Sequence, residues 1–247
     1  MEKLVYLLFA PAGTVDGDRL TAEASAALLD RLRADLPATG VATFSVDLTD
    51  NAADVPSPAP PPAGEAVMVA IVSAWMDCHD RRGPLEEALG ALAAEHGWTV
   101  AGYLVLESLY TDYGDNQWER TRDWGPYERS PGLLTVALIH RPAGLDHDEW
   151  LRLWHGRQSP LSAEIQPRSR YVRNEVVRAV TDGAPEIGGI VEEAWPSASH
   201  VTDPMLFFLG EGDPERMNAN IGLMMESVSA CLDLDRLRSF TMSEHLA

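Results

Sequence analysis

The sequence has 247 residues, of which 45% are hydrophobic and 23% charged, as in ordinary globular proteins. Its 38 acidic and 19 basic residues give a formal net charge of -19, which disfavours phosphate backbones and anionic lipids, so we expect neither nucleic acid nor a membrane as partner. Cys78 and Cys231 are too few and too far apart for a disulfide framework or a zinc site, which favours a cytoplasmic protein without a metal.

The first half of the chain alternates apolar strand patterns with helix patterns. A buried strand ends in the turn Pro11-Ala12-Gly13, and a helical stretch follows it. Residues 51–64 hold five prolines and predict a solvated loop rather than a domain boundary. In order, the sequence predicts a strand at 4–10, a helix at 20–36, strands at 41–48 and 66–75, a helix at 84–96 and a strand at 99–109.

The second half repeats this order of strands and helices, with similar residues at the ends of several elements. Residues 135–144 repeat the first strand and its Pro-Ala-Gly turn at an offset of 131. Trp75 and Trp195 align at an offset of 120, and Glu107 and Glu244 at an offset of 137. The predicted elements are a strand at 135–139, a helix at 149–165, strands at 171–180 and 189–195, a helix at 214–232 and a strand at 238–246.

Each βαββαβ unit predicts a four-stranded antiparallel sheet with both helices on one face. Two such sheets stacked face to face bury each other's open faces, and fusion of the copies makes that pairing intramolecular. The sequence therefore predicts an α+β fold with one copy at 1–112, an aromatic linker at 113–131 and a second copy at 132–247. We expect the space between the sheets to form a pocket, which the linker either covers or braces.

The second half resembles the EthD family of the dimeric α/β-barrel superfamily, whose units are ferredoxin-like. The resemblance covers about residues 132–247 and rests on the order and spacing of several motifs rather than on one of them. These motifs lie at residues 134–139, 141–145, 148–150, 154–155, 170–174 and 189–195. It implies two tandem ferredoxin-like units packed sheet to sheet, and small-molecule work in oxidative or polyketide-like metabolism. The first half lacks the Trp-His pair and the Tyr-Asn pair. The resemblance therefore implies that only one of the two pockets, that of the second half, carries these residues.

His155 is the first candidate for acid-base catalysis, because the aromatic wall of its helix, which includes Trp154, could hold its pKa near neutrality. Tyr171 and Asn174 are three apart on one strand, so alternation sends them to opposite faces. Tyr171 could donate to an enolate oxygen and Asn174 could fix a carbonyl. The alternative for each residue is a structural role: a helix cap, a packed ring or a backbone partner.

Adjacent acids interrupt the strand at 189–195, and alternation sends one to each face. Glu193 is a candidate catalytic base, and Glu192 a candidate substrate-binding residue, while pairing with Arg170 or Arg173 is the structural alternative. His140 is a strand-end candidate for substrate binding, or a solvated turn residue.

The leading hypothesis is a cofactor-independent enzyme acting on a small apolar metabolite by oxidation, dehydration or cyclisation. No nucleotide-binding or hydrolase motif is present in the sequence, so we expect no cofactor. One alternative is a non-catalytic metabolite-binding protein that serves an oxidase, and another is a haem-binding barrel that uses a single histidine. A homodimer of the fused pair is compatible with all three.

Overall fold

The structure alternates strands and helices in the order that the sequence predicts, with two short helices added before the last long one. The computed structural model describes residues 1–15, 18–119 and 121–247. The strands are β1 (Glu2–Ala10), β2 (Thr43–Leu48), β3 (Val67–Met76), β4 (Thr99–Thr111), β5 (Leu133–Ile139), β6 (Arg170–Ala179), β7 (Gly189–Trp195) and β8 (Arg238–His245). The α-helices are α1 (Ala22–Asp35), α2 (Gly83–His96), α3 (His147–Leu153), α4 (Ser159–Ile165), α5 (Ser199–Thr202), α6 (Pro204–Phe207) and α7 (Pro214–Cys231).

Local sequence signals fix the ends of the long helices. Thr21 and Asp213 accept hydrogen bonds from backbone N–H groups in the first turns of α1 and α7, and Pro214 opens α7 where no N–H partner is needed. Gly97 ends α2 with a φ of 70°, a left-handed conformation that glycine adopts without a steric penalty. The helices therefore begin and end where their own residues direct.

The eight strands form one closed antiparallel barrel in the order β1-β3-β2-β8-β5-β7-β6-β4. Each half supplies four neighbouring strands in the same order, β4-β1-β3-β2 and β8-β5-β7-β6. The halves join where β2 pairs with β8 and where β4 pairs with β6. Closure gives the edge strands backbone partners along these joins.

The sequence predicted two sheets stacked around a cleft, whereas the structure joins the sheets edge to edge and fills the barrel. Apolar side chains from both halves pack in the interior, among them Leu7, Ile71, Tyr103, Val136 and Phe240. The outer faces of the two sheets pack separately against their own helices. Both faces of each sheet are therefore covered, the inner face by the barrel interior and the outer face by the helices.

One end of the barrel interior holds charged side chains from both halves, which we call the ionic cluster. Its members are Lys3, Asp47, Glu107, Arg170, Glu192 and Glu244. The Lys3 Nζ lies 2.9 Å from Glu107 and 3.2 Å from Glu192. The Arg170 Nη1 lies 3.3 Å from Glu192 and 2.9 Å from Glu244. Because Lys3 of β1 pairs with Glu192 of β7, the cluster links a strand of the first half to a strand of the second.

Asp47 also lies in this cluster, but Lys3 and Arg170 form their ion pairs with the glutamates and not with Asp47. Burial and the negative charges of Glu192 and Glu244 raise the pKa of Asp47 well above its usual value. As pH rises above the pKa of the unfolded chain, the unfolded state releases this proton and the folded state keeps it, so Asp47 makes the fold less stable with rising pH.

We therefore expect Asp47→Asn to be more stable than the wild type at pH 8, and the difference to vanish near pH 3, where both states hold the proton. Urea unfolding across this pH range measures the difference. Asp30→Asn, which changes an exposed aspartate of α1, is the control and should follow the wild-type pH profile. A difference for Asp47→Asn that does not depend on pH would contradict the prediction.

The aromatic linker packs against the end of the barrel that holds the ionic cluster. The Tyr113 hydroxyl donates to Glu244 over 2.8 Å, and the Trp124 ring meets the Tyr113 ring edge-on at 4.9 Å. The Tyr127 ring lies 4.8 Å from Phe44 of β2, while its backbone N–H donates to the carbonyl of Leu246. These contacts reach both halves and favour bracing over ligand covering.

No helix in the described part of the chain is both long enough and apolar enough to cross a membrane.

Candidate functional site

A cavity of about 200 Å³ lies between the outer face of the β5–β8 sheet and the helices that cover it. We call it the helix-side cavity. Its volume is below the roughly 300–1,000 Å³ of pockets for drug-sized ligands, which favours a small ligand. Its apolar wall includes Ile139, Trp154, Val191, Phe207, Met224 and Leu232, and its polar groups include Thr135, Gln158, Ser162, Gln166, Tyr171 and Glu193.

A helical run with a wide turn forms one wall of this cavity. The run passes from α3 through a π-helical turn, Trp154–Gln158, into α4. Pro160 has no N–H to donate to the carbonyl four residues earlier, and the Ser159 N–H reaches back five residues to the carbonyl of Trp154. The missing donor of Pro160 accounts for the wide turn.

A stripe of side chains spaced four apart along this run faces the cavity. The stripe consists of Trp154, Gln158, Ser162 and Gln166. The Gln158 Nε2 has a sulfur acceptor, Met224 Sδ, at 3.2 Å, and its Oε1 is buried without a hydrogen-bond partner among the described residues. A buried amide oxygen without a partner costs free energy, so a ligand hydroxyl or N–H that donated to it would bind favourably.

Tyr171 and Glu193 lie directly opposite each other on the neighbouring strands β6 and β7, and both line the cavity. Residues paired in this way have Cβ atoms about 4.5–5.5 Å apart and project to the same face. They are the two ionisable side chains in the described lining. A phenol and a carboxylate therefore share one small, mostly apolar space.

Arg168 holds both of these side chains in place. Its guanidinium lies 3.8 Å from the centre of the Tyr171 ring, and its Nη1 lies 2.7 Å from the Glu193 carboxylate. Its Nη2 donates to the Ser162 Oγ over 2.8 Å. Arg168 is buried, and it precedes β6 in a turn without strand or helix periodicity, which is why sequence reasoning missed it.

The Tyr171 hydroxyl shares a 3.2 Å hydrogen bond with the Ser159 Oγ, in which either oxygen can be the donor. Burial raises the pKa of Tyr171, an effect that the positive charge of Arg168 opposes. The hydroxyl therefore keeps its proton at neutral pH and remains a hydrogen-bond donor.

The matching positions of the first half are apolar. Leu4 pairs with Ala74 and Thr135 pairs with Glu193, so Ala74 corresponds to Glu193 when Leu4 is placed over Thr135. Ala74 in turn pairs with Phe44, as Glu193 pairs with Tyr171.

Leu4, Phe44 and Ala74 are all buried in the helix-side core of the first half, and none of them is ionisable. The phenol and the carboxylate therefore distinguish the second half from the first.

This correspondence corrects the sequence alignment of the third strands. Ala74 and Glu193 differ by 119 positions, whereas the sequence aligned Trp75 with Trp195 at an offset of 120. A slip of one residue exchanges the two faces of a strand. Trp75 contacts Lys3 of the ionic cluster, whereas Trp195 donates to Thr135 beside the helix-side cavity.

His155 follows Trp154 in the π-helical turn, but it is not among the described residues that line the cavity. Its ring lies 4.5 Å from the Trp154 ring, and its buried Nε2 has no hydrogen-bond partner among the described residues. The expected near-neutral pKa is wrong, because burial and the positive charge of Arg173 lower the pKa of His155 to about 4. The imidazole is therefore neutral at pH 7.

Asn174 and Glu192 face the barrel interior, on the opposite side of the wall from Tyr171 and Glu193. The Asn174 Nδ2 donates to the Glu192 carboxylate over 2.8 Å. Burial alone would raise the pKa of Glu192, but Lys3, Arg170 and Asn174 outweigh it and lower the pKa below its usual value. Both residues therefore belong to the ionic cluster and its surroundings rather than to the cavity.

His140 follows β5 and lies away from the described cavity lining. Its carbonyl accepts a hydrogen bond from the backbone N–H of Asp233, and burial followed by the charge of Arg236 lowers the pKa of its ring. Of the seven predicted site residues, the structure brings Trp154, Tyr171 and Glu193 together in one cavity.

The residues of the cavity do not fit haem. Protein ligands to haem iron are His, Cys, Met or Tyr, and no His or Cys is found in the described lining. The cavity of about 200 Å³ is also smaller than the roughly 300–1,000 Å³ of pockets for drug-sized ligands, and haem is at least as large as such a ligand. Within the described part of the chain, no group of three or more His, Cys, Asp or Glu side chains is arranged to hold a metal ion.

A closed eight-stranded antiparallel barrel with helices outside both sheets is the architecture of dimeric α/β-barrel proteins. Solved structures of this class match nearly the whole chain. The chain is similar to an anthrone oxidase-like protein, with a TM-score of 0.56 and 12% identity over 98% of this chain and 91% of that one.

Two further solved structures have the same fold. A monooxygenase-like protein from Fusobacterium nucleatum has a TM-score of 0.50 and 6% identity over 99% of this chain and 92% of that one. Chlorite dismutase from Candidatus Nitrospira defluvii, solved with imidazole, has a TM-score of 0.51 and 10% identity over 98% of this chain and 90% of that one. At these identities the likeness establishes the fold and no activity. No protein-family model and no curated protein matches the chain.

Proposed function

We propose that the protein is a cofactor-independent enzyme that removes a proton from a small aromatic or polyketide-like ketone bound in the helix-side cavity. Glu193 is the proposed base, and the Tyr171 hydroxyl is the proposed donor to the oxygen on which negative charge develops. The observation that carries this proposal is the cross-strand pairing of these two side chains in a cavity whose walls are mostly apolar.

Oxidation, dehydration and cyclisation of such ketones can begin with the same step. A carbon next to the carbonyl loses a proton to the Glu193 carboxylate, and the electron pair of the C–H bond moves to the carbonyl oxygen. A hydrogen bond from Tyr171 stabilises the resulting enolate. If the product is oxidised, dioxygen is the electron acceptor, as it would be for a substrate such as anthrone.

The remaining groups of the cavity suit binding. Trp154 offers an aromatic face to a planar substrate, and the free Gln158 Oε1 is an acceptor for a substrate hydroxyl. A substrate that fills the mostly apolar cavity would displace water from it and strengthen the charge interactions there. His155, Asn174, Glu192 and His140 have no part in this proposal.

Solvent deuterium exchange tests the proposed proton removal without requiring the true product. The wild-type protein is incubated with 1-tetralone in D₂O, and proton NMR follows loss of the signal from the carbon next to the carbonyl. We expect exchange faster than in protein-free buffer. Binding of 1-tetralone without any increase in exchange would overturn the catalytic proposal.

Removing the Tyr171 hydroxyl should slow this exchange by about 10²–10³-fold, the usual effect of removing one donor to a developing oxyanion. Tyr171→Phe keeps the ring that packs against Arg168 and Tyr110, so the fold should be retained. Tyr103→Phe is the matched control, because its hydroxyl donates to the carbonyl of Pro185 away from the cavity. Equal exchange rates in the two variants would contradict the role of Tyr171.

A metabolite-binding protein without catalysis is the second candidate, and the Arg168–Glu193 ion pair favours it. A carboxylate held at 2.7 Å by a buried guanidinium is partly neutralised, as in a structural salt bridge. This candidate predicts binding of a small ketone with no chemical change in the ligand.

We also infer that the chain is a tandem of two ferredoxin-like units, at 1–112 and 132–247 with the linker at 113–131, and that the second unit is EthD-like. The identical strand orders of the two halves support this inference. Native mass spectrometry would test the further expectation that two chains form a homodimer.

A further inference from the structure

The proline-rich loop between β2 and β3 crosses from the first half of the chain to the start of β8 in the second half. We call residues 55–60 of this loop the proline strap. It has a proline at alternate positions, Pro56, Pro58 and Pro60. Sequence analysis predicted a solvated loop here, and the three prolines of the strap are exposed. Hydrogen bonds also dock the strap onto the barrel.

Ser239 is the docking point. Its N–H donates to the carbonyl of Ala59 over 2.6 Å, and its Oγ accepts from the N–H of Ala59 over 3.0 Å. The Ser57 hydroxyl donates to the carbonyl of Ser239 over 2.8 Å. Three hydrogen bonds therefore hold one short segment of the strap against a single residue of β8.

The barrel leaves this position open to the strap. β2 pairs with β8 only from Ser243 onwards, with Leu48 as partner, whereas β8 begins at Arg238. The first residues of β8 thus lie beyond the end of β2 and need other partners for their backbone groups. The strap supplies them at Ser239.

The strap also divides two cavities. Pro58 and Ala59 line the helix-side cavity, whereas Pro56, Ser57 and Pro60 line a neighbouring cavity of about 520 Å³. Ser239 lines both. Pro58 and Pro60 flank Ala59, and proline fixes its own φ and restricts the residue before it, so the wall at Ala59 is stiff.

We propose that Ala59 and the strap around it set the size of the molecule that the helix-side cavity accepts. The first half thereby supplies a specificity wall to the site of the second half. This inference rests on the proposed function, because it assigns the substrate limit of the same cavity.

Ala59→Phe tests this proposal, because the larger side chain would extend the wall into the cavity. Binding of acetophenone, 1-tetralone and anthrone, which have one, two and three rings, is measured by calorimetry for the wild type and the variant. We expect the loss of affinity to grow with ring number and to reach about 10-fold or more for anthrone. Ala59→Leu should give a smaller loss in the same order.

Ala63→Phe is the matched control. Ala63 lies on the same loop, is exposed and lines the neighbouring cavity, so its affinities should stay within about twofold of the wild type. Melting temperatures of all variants check that each one folds.

Each outcome bears on one proposal or on both. If the loss of affinity grows with ring number in Ala59→Phe and not in Ala63→Phe, the strap limits ligand size. This result would hold even if no ligand is converted and the catalytic proposal fails. Equal losses of affinity in the two variants would overturn the proposal that the strap limits ligand size, and would not affect the catalytic proposal. If the wild type binds none of the three ketones, both proposals are overturned.

Discussion

Glu193→Gln is expected to slow deuterium exchange at 1-tetralone by about 10²–10⁴-fold, the contribution that a positioned general base usually makes. The amide has nearly the shape of the carboxylate, and its oxygen can still accept a hydrogen bond from Arg168. It cannot take a proton from carbon at neutral pH. Substrate binding should therefore change little while the rate falls, whereas the melting temperature should drop because the buried Arg168 loses its paired charge.

Glu164→Gln is the control for this measurement. Glu164 is an exposed glutamate of α4 outside the described cavity lining, and its substitution removes the same charge. The exchange rate of this variant should equal that of the wild type. If Glu193→Gln also keeps the wild-type rate, Glu193 is a structural partner of Arg168, and the metabolite-binding alternative becomes the better account.

The order of the elements could be predicted because local signals mark it. The strand Gly189–Trp195 has the predicted bounds, and the predicted helix at 84–96 begins one residue earlier, at Gly83. Glycine and proline residues mark such ends, because they start or stop a helix or strand through the backbone conformation of a few neighbouring residues. Tertiary packing was not needed to find them.

Alternation also predicted that the two adjacent acids separate, and that Tyr171 and Asn174 do so. It could not say which member of each pair faces a ligand, because both faces of a barrel strand are covered here. Glu192 faces the ionic cluster and Glu193 faces the helices. An apolar strand buried on both sides has the same pattern whichever face holds the cavity.

The remaining features of the cavity depend on contacts distant in sequence. Arg168 meets Glu193 across 25 positions, and Ala59 meets Ser239 across 180. The signal that sequence analysis could have used is the four-residue spacing of Trp154, Gln158 and Ser162, which marks one helix face. That spacing would have favoured the helix side of the sheet over the barrel interior.

Arg170→Met is expected to lower the free energy of unfolding by about 3–5 kcal/mol, the usual cost of removing one partner from a buried ion pair. Arg170 is 7% exposed and holds the carboxylates of Glu192 and Glu244. Without it, Lys3 is the remaining buried cation of the cluster, and it already pairs with Glu107. Urea unfolding at neutral pH measures the loss.

Arg152→Met is the matched control for this variant. Arg152 forms an ion pair with Glu149 on the surface of α3, and such exposed pairs contribute about 0–1 kcal/mol. The two variants remove the same charge and introduce the same side chain. Equal losses of stability in both would mean that the buried ion pairs of Arg170 stabilise the fold no more than an exposed pair does.

The pH dependence separates a charge effect from a packing effect in Arg170→Met. Without the guanidinium, burial should raise the pKa of Glu192 in the folded state above that of the unfolded chain, about 4.3. The folded state would then bind more protons than the unfolded state, so the variant should lose stability as pH rises above that value. The difference in the free energy of unfolding between Arg170→Met and the wild type should become smaller below pH 4. Adding Glu192→Gln and Glu244→Gln to Arg170→Met should also reduce this difference at neutral pH, because neutral amides need no cation. A loss of stability caused by poor packing would instead be the same at every pH.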